Sequence, residues 1–154
     1  MLHNGECDVS GNILSLVNMN ETLNAYEFYG LFEGLGSLID ASQLILPSNT
    51  KPNCYNQMFA GCHSLTAAPQ LPAIDLTSSC YAAMFEGCTS LSTAPVLPAT
   101  GLADMCYWDM FRGCTSLSTA PVLPATTLAN ACYNHMFSGC TALKSVTAYF
   151  DKWN

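Results

Sequence analysis

The sequence predicts an α/β repeat fold: a curved right-handed solenoid with short parallel strands on its inner face and helices on its outer face. Three observations carry this expectation. First, Cys80-Tyr-Ala-Ala-Met-Phe-Glu-Gly-Cys88-Thr-Ser-Leu91 recurs around Cys54–Leu65, Cys106–Leu117 and Cys132–Leu143, and Met58, Met84, Met110 and Met136 stand 26 residues apart. A fixed period of this size is the signature of stacked repeats. Second, Leu128, Cys132 and Met136 are spaced four apart, with Phe137 widening the stripe; this matches one apolar face of a helix. Third, Leu91 and Thr93 alternate with Ser90 and Ser92 before Pro95, which suits a short strand ended by a residue without an N–H. Strands stack at about 4.8 Å, whereas packed helices need about 8–10 Å. A unit of strand, turn and helix must therefore fan out on its helical side.

The elements follow in order. Residues 1–26 do not fit the repeat; a Gly11-Asn12 turn signal before Ile13-Leu14-Ser15-Leu16-Val17 suggests an N-terminal cap with one or two strands. Residues 27–143 form the expected solenoid of one degenerate and four regular repeats. In the degenerate copy Leu31 and Phe32 take the Met-Phe places and Gly34 is kept, while Glu27 and Leu35 occupy the two cysteine positions. Each regular copy predicts a helix such as that from Thr126 or Thr127 as N-cap to Gly139 as the left-handed C-terminal residue, with Gly61, Gly87 and Gly113 in the same role. The stretch Val96-Leu-Pro-Ala-Thr100 turns the chain back. Residues 144–154 read as a C-terminal strand or tail, either a cap or a point within a longer array. Val146, Tyr149, Phe150 and Trp153 are more apolar surface than so short a tail covers, so the expectation is further chain or end-to-end self-association.

Composition narrows the function classes. Half of the 154 residues are hydrophobic, and 11 acidic residues against 4 basic ones leave a net charge of −7. Nucleic acid and anionic lipid both demand clustered Lys and Arg, so neither is an expected partner. No apolar run approaches the roughly 20 residues of a membrane span. Met1–Cys7 lacks the basic and apolar regions of a signal peptide. Nine cysteines favour an oxidising compartment.

Cysteine chemistry supplies the first candidates. The pairs Cys54 and Cys62, Cys80 and Cys88, Cys106 and Cys114, and Cys132 and Cys140 have seven intervening residues, not the two of a zinc motif. His63 and His135 fall at different repeat positions. Eight equivalent thiols cannot all be nucleophiles, and no Ser-His-Asp set, carboxylate pair or phosphate loop stands out. The expectation is a non-enzyme without metal or cofactor, whose cysteines are structural. Two states are open to them, buried thiols or bridges within a repeat. Joint loss of both cysteines from the degenerate copy favours bridges. A helical rise of about 1.5 Å per residue favours thiols, because a bridge wants its Cα atoms within about 7 Å.

Met84, Phe85, Met110 and Phe111, with Met58, Phe59, Met136 and Phe137, read as core. Positions where the copies differ are more informative: Asn56-Gln57, Ala82-Ala83, Trp108-Asp109 and Asn134-His135, and the column Ala60, Glu86, Arg112 and Ser138. Among these Trp108, Asp109, Arg112 and His135 are the candidate binding residues, since an outward Trp is often a contact residue. Ser92, Thr93, Ser118 and Thr119 offer a hydroxyl-rich inner face.

The run Met-Phe-x-Gly-Cys-Thr-Ser-Leu at this period resembles the BspA-like leucine-rich repeat surface proteins of gut and oral anaerobic bacteria, closely over residues 54–143 and loosely over 27–53. The resemblance implies a leucine-rich-repeat-like solenoid, a cell-surface or secreted location, and adhesion or binding to an extracellular protein or glycan. It transfers no binding residue. The alternative is a structural spacer in a larger surface protein or virion assembly. A binder should carry one contiguous non-repeating patch; a spacer should vary evenly.

Overall fold

The structure, a computed structural model, describes residues 5–17 and 23–152. The expected outer helices are not there. Among the described residues the one helical element is a 3₁₀ turn at Ile13–Val17. In their place each repeat forms a ribbon of linked turns.

The hydrogen bonds show how. Every second N–H closes a turn onto the carbonyl three residues back: Cys54 to Lys51, Asn56 to Asn53, Met58 to Tyr55, Ala60 to Gln57 and Cys62 to Phe59, at 3.0–3.2 Å. The intervening N–H groups leave the repeat. Tyr55, Gln57, Phe59 and Gly61 donate to Cys80, Ala82, Met84 and Glu86 of the next copy at 2.7–3.0 Å. An α-helix would spend all of these donors internally, four residues back. Here half of them bind one repeat to the next. Every fourth residue is left-handed: Asn53 (φ 57°), Gln57 (φ 57°) and Gly61 (φ 72°), then Ser79, Ala83 and Gly87 in the following copy. Such a residue sits third in its turn, as a type II turn requires. The four-residue apolar spacing is thus the period of a pair of turns, not a drifting approximation to 3.6.

Packing explains why the ribbon replaces the helix. Tyr55, Tyr81, Tyr107 and Tyr133 stack at ring separations of 5.5, 5.9 and 5.6 Å. Phe59, Phe85, Phe111 and Phe137 stack at 5.5, 5.6 and 5.9 Å. Successive copies therefore approach at sheet-like distance on this side, and helices needing about 8–10 Å do not fit. The fan-shaped, helix-backed architecture falls with them. Met58, Met84, Met110, Leu65, Leu91, Leu117 and the first three Tyr and Phe of each column are essentially fully buried.

The inner strands are also fewer than expected. β1 (Cys7–Asn12) pairs in parallel with β2 (Leu38–Ile45). β3 (Val122–Leu123) pairs in parallel with β4 (Thr147–Ala148). Between them only single parallel bridges occur, such as Thr93 with Thr119. β2 is long because the degenerate copy has no Ala-Pro; Pro69, Pro95 and Pro121 interrupt the others.

Both ends are partly covered. β1 continues into the 3₁₀ turn, whose Ile13 and Leu14 are buried in the core. At the other end Phe150 stacks on Tyr133 at 5.7 Å, and Tyr149 N–H donates to Leu123 C=O at 3.1 Å. Trp153, counted above among the apolar tail residues, lies outside the described residues.

Candidate functional site

The ribbon brings three of the four candidate binding residues, Asp109, Arg112 and His135, together. Asp109 and His135 occupy the same left-handed position in adjacent copies (φ 54° and 53°), and Asp109 N–H donates to Asn134 C=O at 3.0 Å. Their side chains consequently stand side by side, His135 Nδ1 lying 3.8 Å from Asp109 Oδ1. Arg112, three residues on, places Nη1 3.8 Å from Asp109 Oδ2 and 3.6 Å from Glu86 Oε1 of the preceding copy. Trp108, the sequence neighbour of Asp109, is 41 % exposed. Glu86 completes the cluster. It was visible in the sequence as a varying position, but only the stacking register puts it against Arg112.

These charge contacts exceed hydrogen-bond length, and exposed pairs of this kind contribute about 0–1 kcal/mol. Stability does not account for them. Asp109 is the unusual member. Its side chain is only 10 % exposed, and Oδ1 is buried without a hydrogen-bond donor. An unsatisfied buried acceptor costs about 1–3 kcal/mol, more when charged. Oδ1 is shielded from solvent, so what the cluster presents to an incoming partner is the Arg112 guanidinium and the Trp108 indole, with the Asp109 carboxylate buried beside Arg112.

The cysteines form two columns with a different character. Cys62, Cys88, Cys114 and Cys140 donate their thiols to the carbonyls of Phe32, Phe59, Phe85 and Phe111 in the preceding copy, at 3.0–3.1 Å. Cys54 Sγ accepts from Lys51 N–H at 3.4 Å. All nine cysteines are free thiols, and the eight of the repeats are buried. Burial pushes Cys54 and Cys62 up to about 11 and Cys80, Cys106 and Cys114 up to about 12. The thiolate is the nucleophile and the metal ligand, and burial disfavours it in the eight repeat cysteines. Among the described residues no three His, Cys, Asp or Glu side chains converge as a metal site would require. His63 Nδ1 lies 3.0 Å from Gly87 C=O.

Of the hydroxyl-rich face at Ser92, Thr93, Ser118 and Thr119, Ser118 commits its hydroxyl to the neighbouring copy, and hydroxyls elsewhere in the repeat do the same. Thr66, Thr89, Ser118 and Thr141 donate to the carbonyls of Ile39, His63, Ser92 and Thr115 of the preceding copy. A groove of about 380 Å³ runs between Pro95-Val96-Leu97-Pro98 and Pro121-Val122.

The chain matches no family model, no curated protein and no solved structure. None of the expected functional roles is therefore supported from outside, and the geometry must carry them.

Proposed function

We propose that this chain is a non-enzymatic binding module, displayed at a cell surface or secreted, that recognises an extracellular protein through Trp108, Asp109, Arg112 and His135. The observation that carries this reading is the exposed Trp108, next in sequence to a buried Asp109 carboxylate that lies 3.8 Å from the half-exposed Arg112 guanidinium. An aromatic anchor beside a charged group is the usual make-up of an interface hot spot. Such a patch is contiguous and unlike the corresponding positions of the other copies, as a binder requires. Protein is favoured over glycan because Trp and Arg are the residue types enriched at protein interface hot spots. The surface location rests on the likeness of the repeat to BspA-like sequences.

An array of extracellular matrix proteins and glycans, probed with the chain and with its Trp108→Ala and Arg112→Ala variants, tests the reading. The expected result is a protein ligand whose binding both substitutions weaken at least tenfold, about 1.4 kcal/mol each. Ligands retained equally by both variants would refute the patch. A glycan ligand, or none, would favour the alternative readings of a glycan binder or a spacer in a larger surface or virion assembly.

A further inference from the structure

The stacking register sorts the outward side chains of the ribbons into columns. One column runs Tyr29, Asn56, Ala82, Trp108 and Asn134; the column beside it holds left-handed residues and runs Tyr26, Asn53, Ser79, Met105 and Ala131. Within one copy, members of the two columns meet across a turn. The rings of Tyr26 and Tyr29 lie 6.0 Å apart, and Asn56 Nδ2 donates to Asn53 Oδ1 at 2.9 Å. Met105 and Trp108 hold the same two places in the third regular copy. Two copies thus carry a pair of large apolar side chains on this face, while the copies between them carry Asn53, Asn56, Ser79 and Ala82.

The fold requires a left-handed residue at the first place of each pair, but not a large apolar one. Tyr26 and Met105 have φ 61° and 56° and are 60 % and 39 % exposed. That conformation strains residues with a side chain, Asn less than most, and Asn53 fills the place in the first regular copy. Bulky apolar groups that are both strained and solvated bring nothing to the core; such positions are the ones that function retains. Tyr29 and Trp108 are exposed next to them, and the Tyr29 hydroxyl donates to Gln57 Oε1 of the following copy.

We propose that Tyr26–Tyr29 and Met105–Trp108 are the two anchors of one docking strip, which takes an extended basic segment of the partner protein laid along the direction in which the copies stack. The inference rests on the binding role of Trp108 argued above, and adds to it a second anchor and the charge of the ligand. The anchors are three copies apart. The Phe rings of those copies follow one another at 5.3, 5.5 and 5.6 Å, which puts the anchors about 16 Å apart, a span that an extended chain at about 3.3 Å per residue covers in about five residues. Charge selects the ligand. Glu27, Glu33, Glu86 and Asp104 belong to the ribbons that build the strip, against Lys51 and Arg112, in a chain of net charge −7. Lys and Arg complement these carboxylates and also stack on Tyr and Trp faces.

Panning a displayed library of random dodecapeptides on the immobilised 154-residue chain tests the strip. Enriched peptides should be rich in Lys and Arg, and the synthesised consensus peptide should bind, by fluorescence anisotropy, with an affinity that falls as salt rises. Tyr26→Asn and Met105→Asn should each weaken it at least tenfold while the thermal transition is kept or raised, because Asn suits both backbone positions. Trp108→Ala should weaken it as much. Binding that Trp108→Ala removes but Tyr26→Asn leaves intact would overturn the strip and leave the Trp108 patch standing. Binding indifferent to Trp108→Ala would overturn both. A library that enriches no peptide, or acidic ones, would also overturn the strip.

Discussion

Replacing Ala131 by Gly separates the turn ribbon from the helix by the sign of its effect. Ala131 is half-buried and left-handed, with φ 50°. Holding an L-residue there costs about 1–2 kcal/mol. Glycine escapes that cost but gives up about 0.5–1 kcal/mol more chain entropy on folding. The net expectation is a stabilisation of about 0.5–1 kcal/mol, or a rise in Tm of about 1–4 °C for a chain of this size. In the interior of a helix running from Thr126 to Gly139 the same change would destabilise by about 0.8–1.0 kcal/mol. Urea unfolding reads the difference directly, as a shift of midpoint at constant slope. Ser79, at φ 53° in an inner copy, provides a second site, with Ser79→Gly expected to be more stable than Ser79→Ala. A loss of about 1 kcal/mol at both sites would refute the ribbon.

The remaining expectations concern the buried columns. In the native protein the eight repeat thiols should resist alkylation, and after unfolding without reductant most of them should label; an intact mass showing four bridges would contradict this. Their folded values are raised above the ordinary 9.0, so the thiols' contribution to stability should be constant below about pH 9. It should then fall as pH rises through the folded values of about 11 and 12, because the unfolded chain releases these protons first, at up to about 1.4 kcal/mol per pH unit for each thiol. A flat stability profile to pH 11 would show the thiols to be solvated. Tyr81→Phe should be neutral or stabilise by up to about 1 kcal/mol, since the hydroxyl is buried without a partner and Phe28 already holds the same place in its own copy. A loss of more than about 1 kcal/mol would reveal a hydrogen bond to that hydroxyl.

How far the sequence reaches can be judged residue by residue. The period, the copies and the Met and Phe columns of the core are legible, because identical residues 26 apart must stack on one another; the buried Tyr column emerges only in the structure. The helix was a misreading of Leu128, Cys132 and Met136: apolar residues four apart satisfy a helix face and a pair of turns equally. The clue lay in the left-handed positions. Gly30 and Gly34 stand four apart, and Asn53, Asp109 and His135 are residue types that enter this region more readily than most. Ala83 and Met105 hide the pattern, since nothing in their chemistry favours it; the ladder to the next copy imposes it. The patch at Trp108, Asp109, Arg112 and His135 was legible as departure from the repeat. The burial of Asp109 was not, because it depends on how closely His135 and Arg112 approach.

The central claim is that alternate amides of each ribbon are bonded to the next repeat. Scalar couplings across hydrogen bonds, measured by NMR on the isotope-labelled chain, test it most directly. The account predicts couplings from the amide nitrogens of Tyr81, Ala83, Phe85 and Gly87 to the carbonyl carbons of Cys106, Trp108, Met110 and Arg112. Couplings from these same nitrogens to the carbonyls four residues earlier would contradict it and restore the helix.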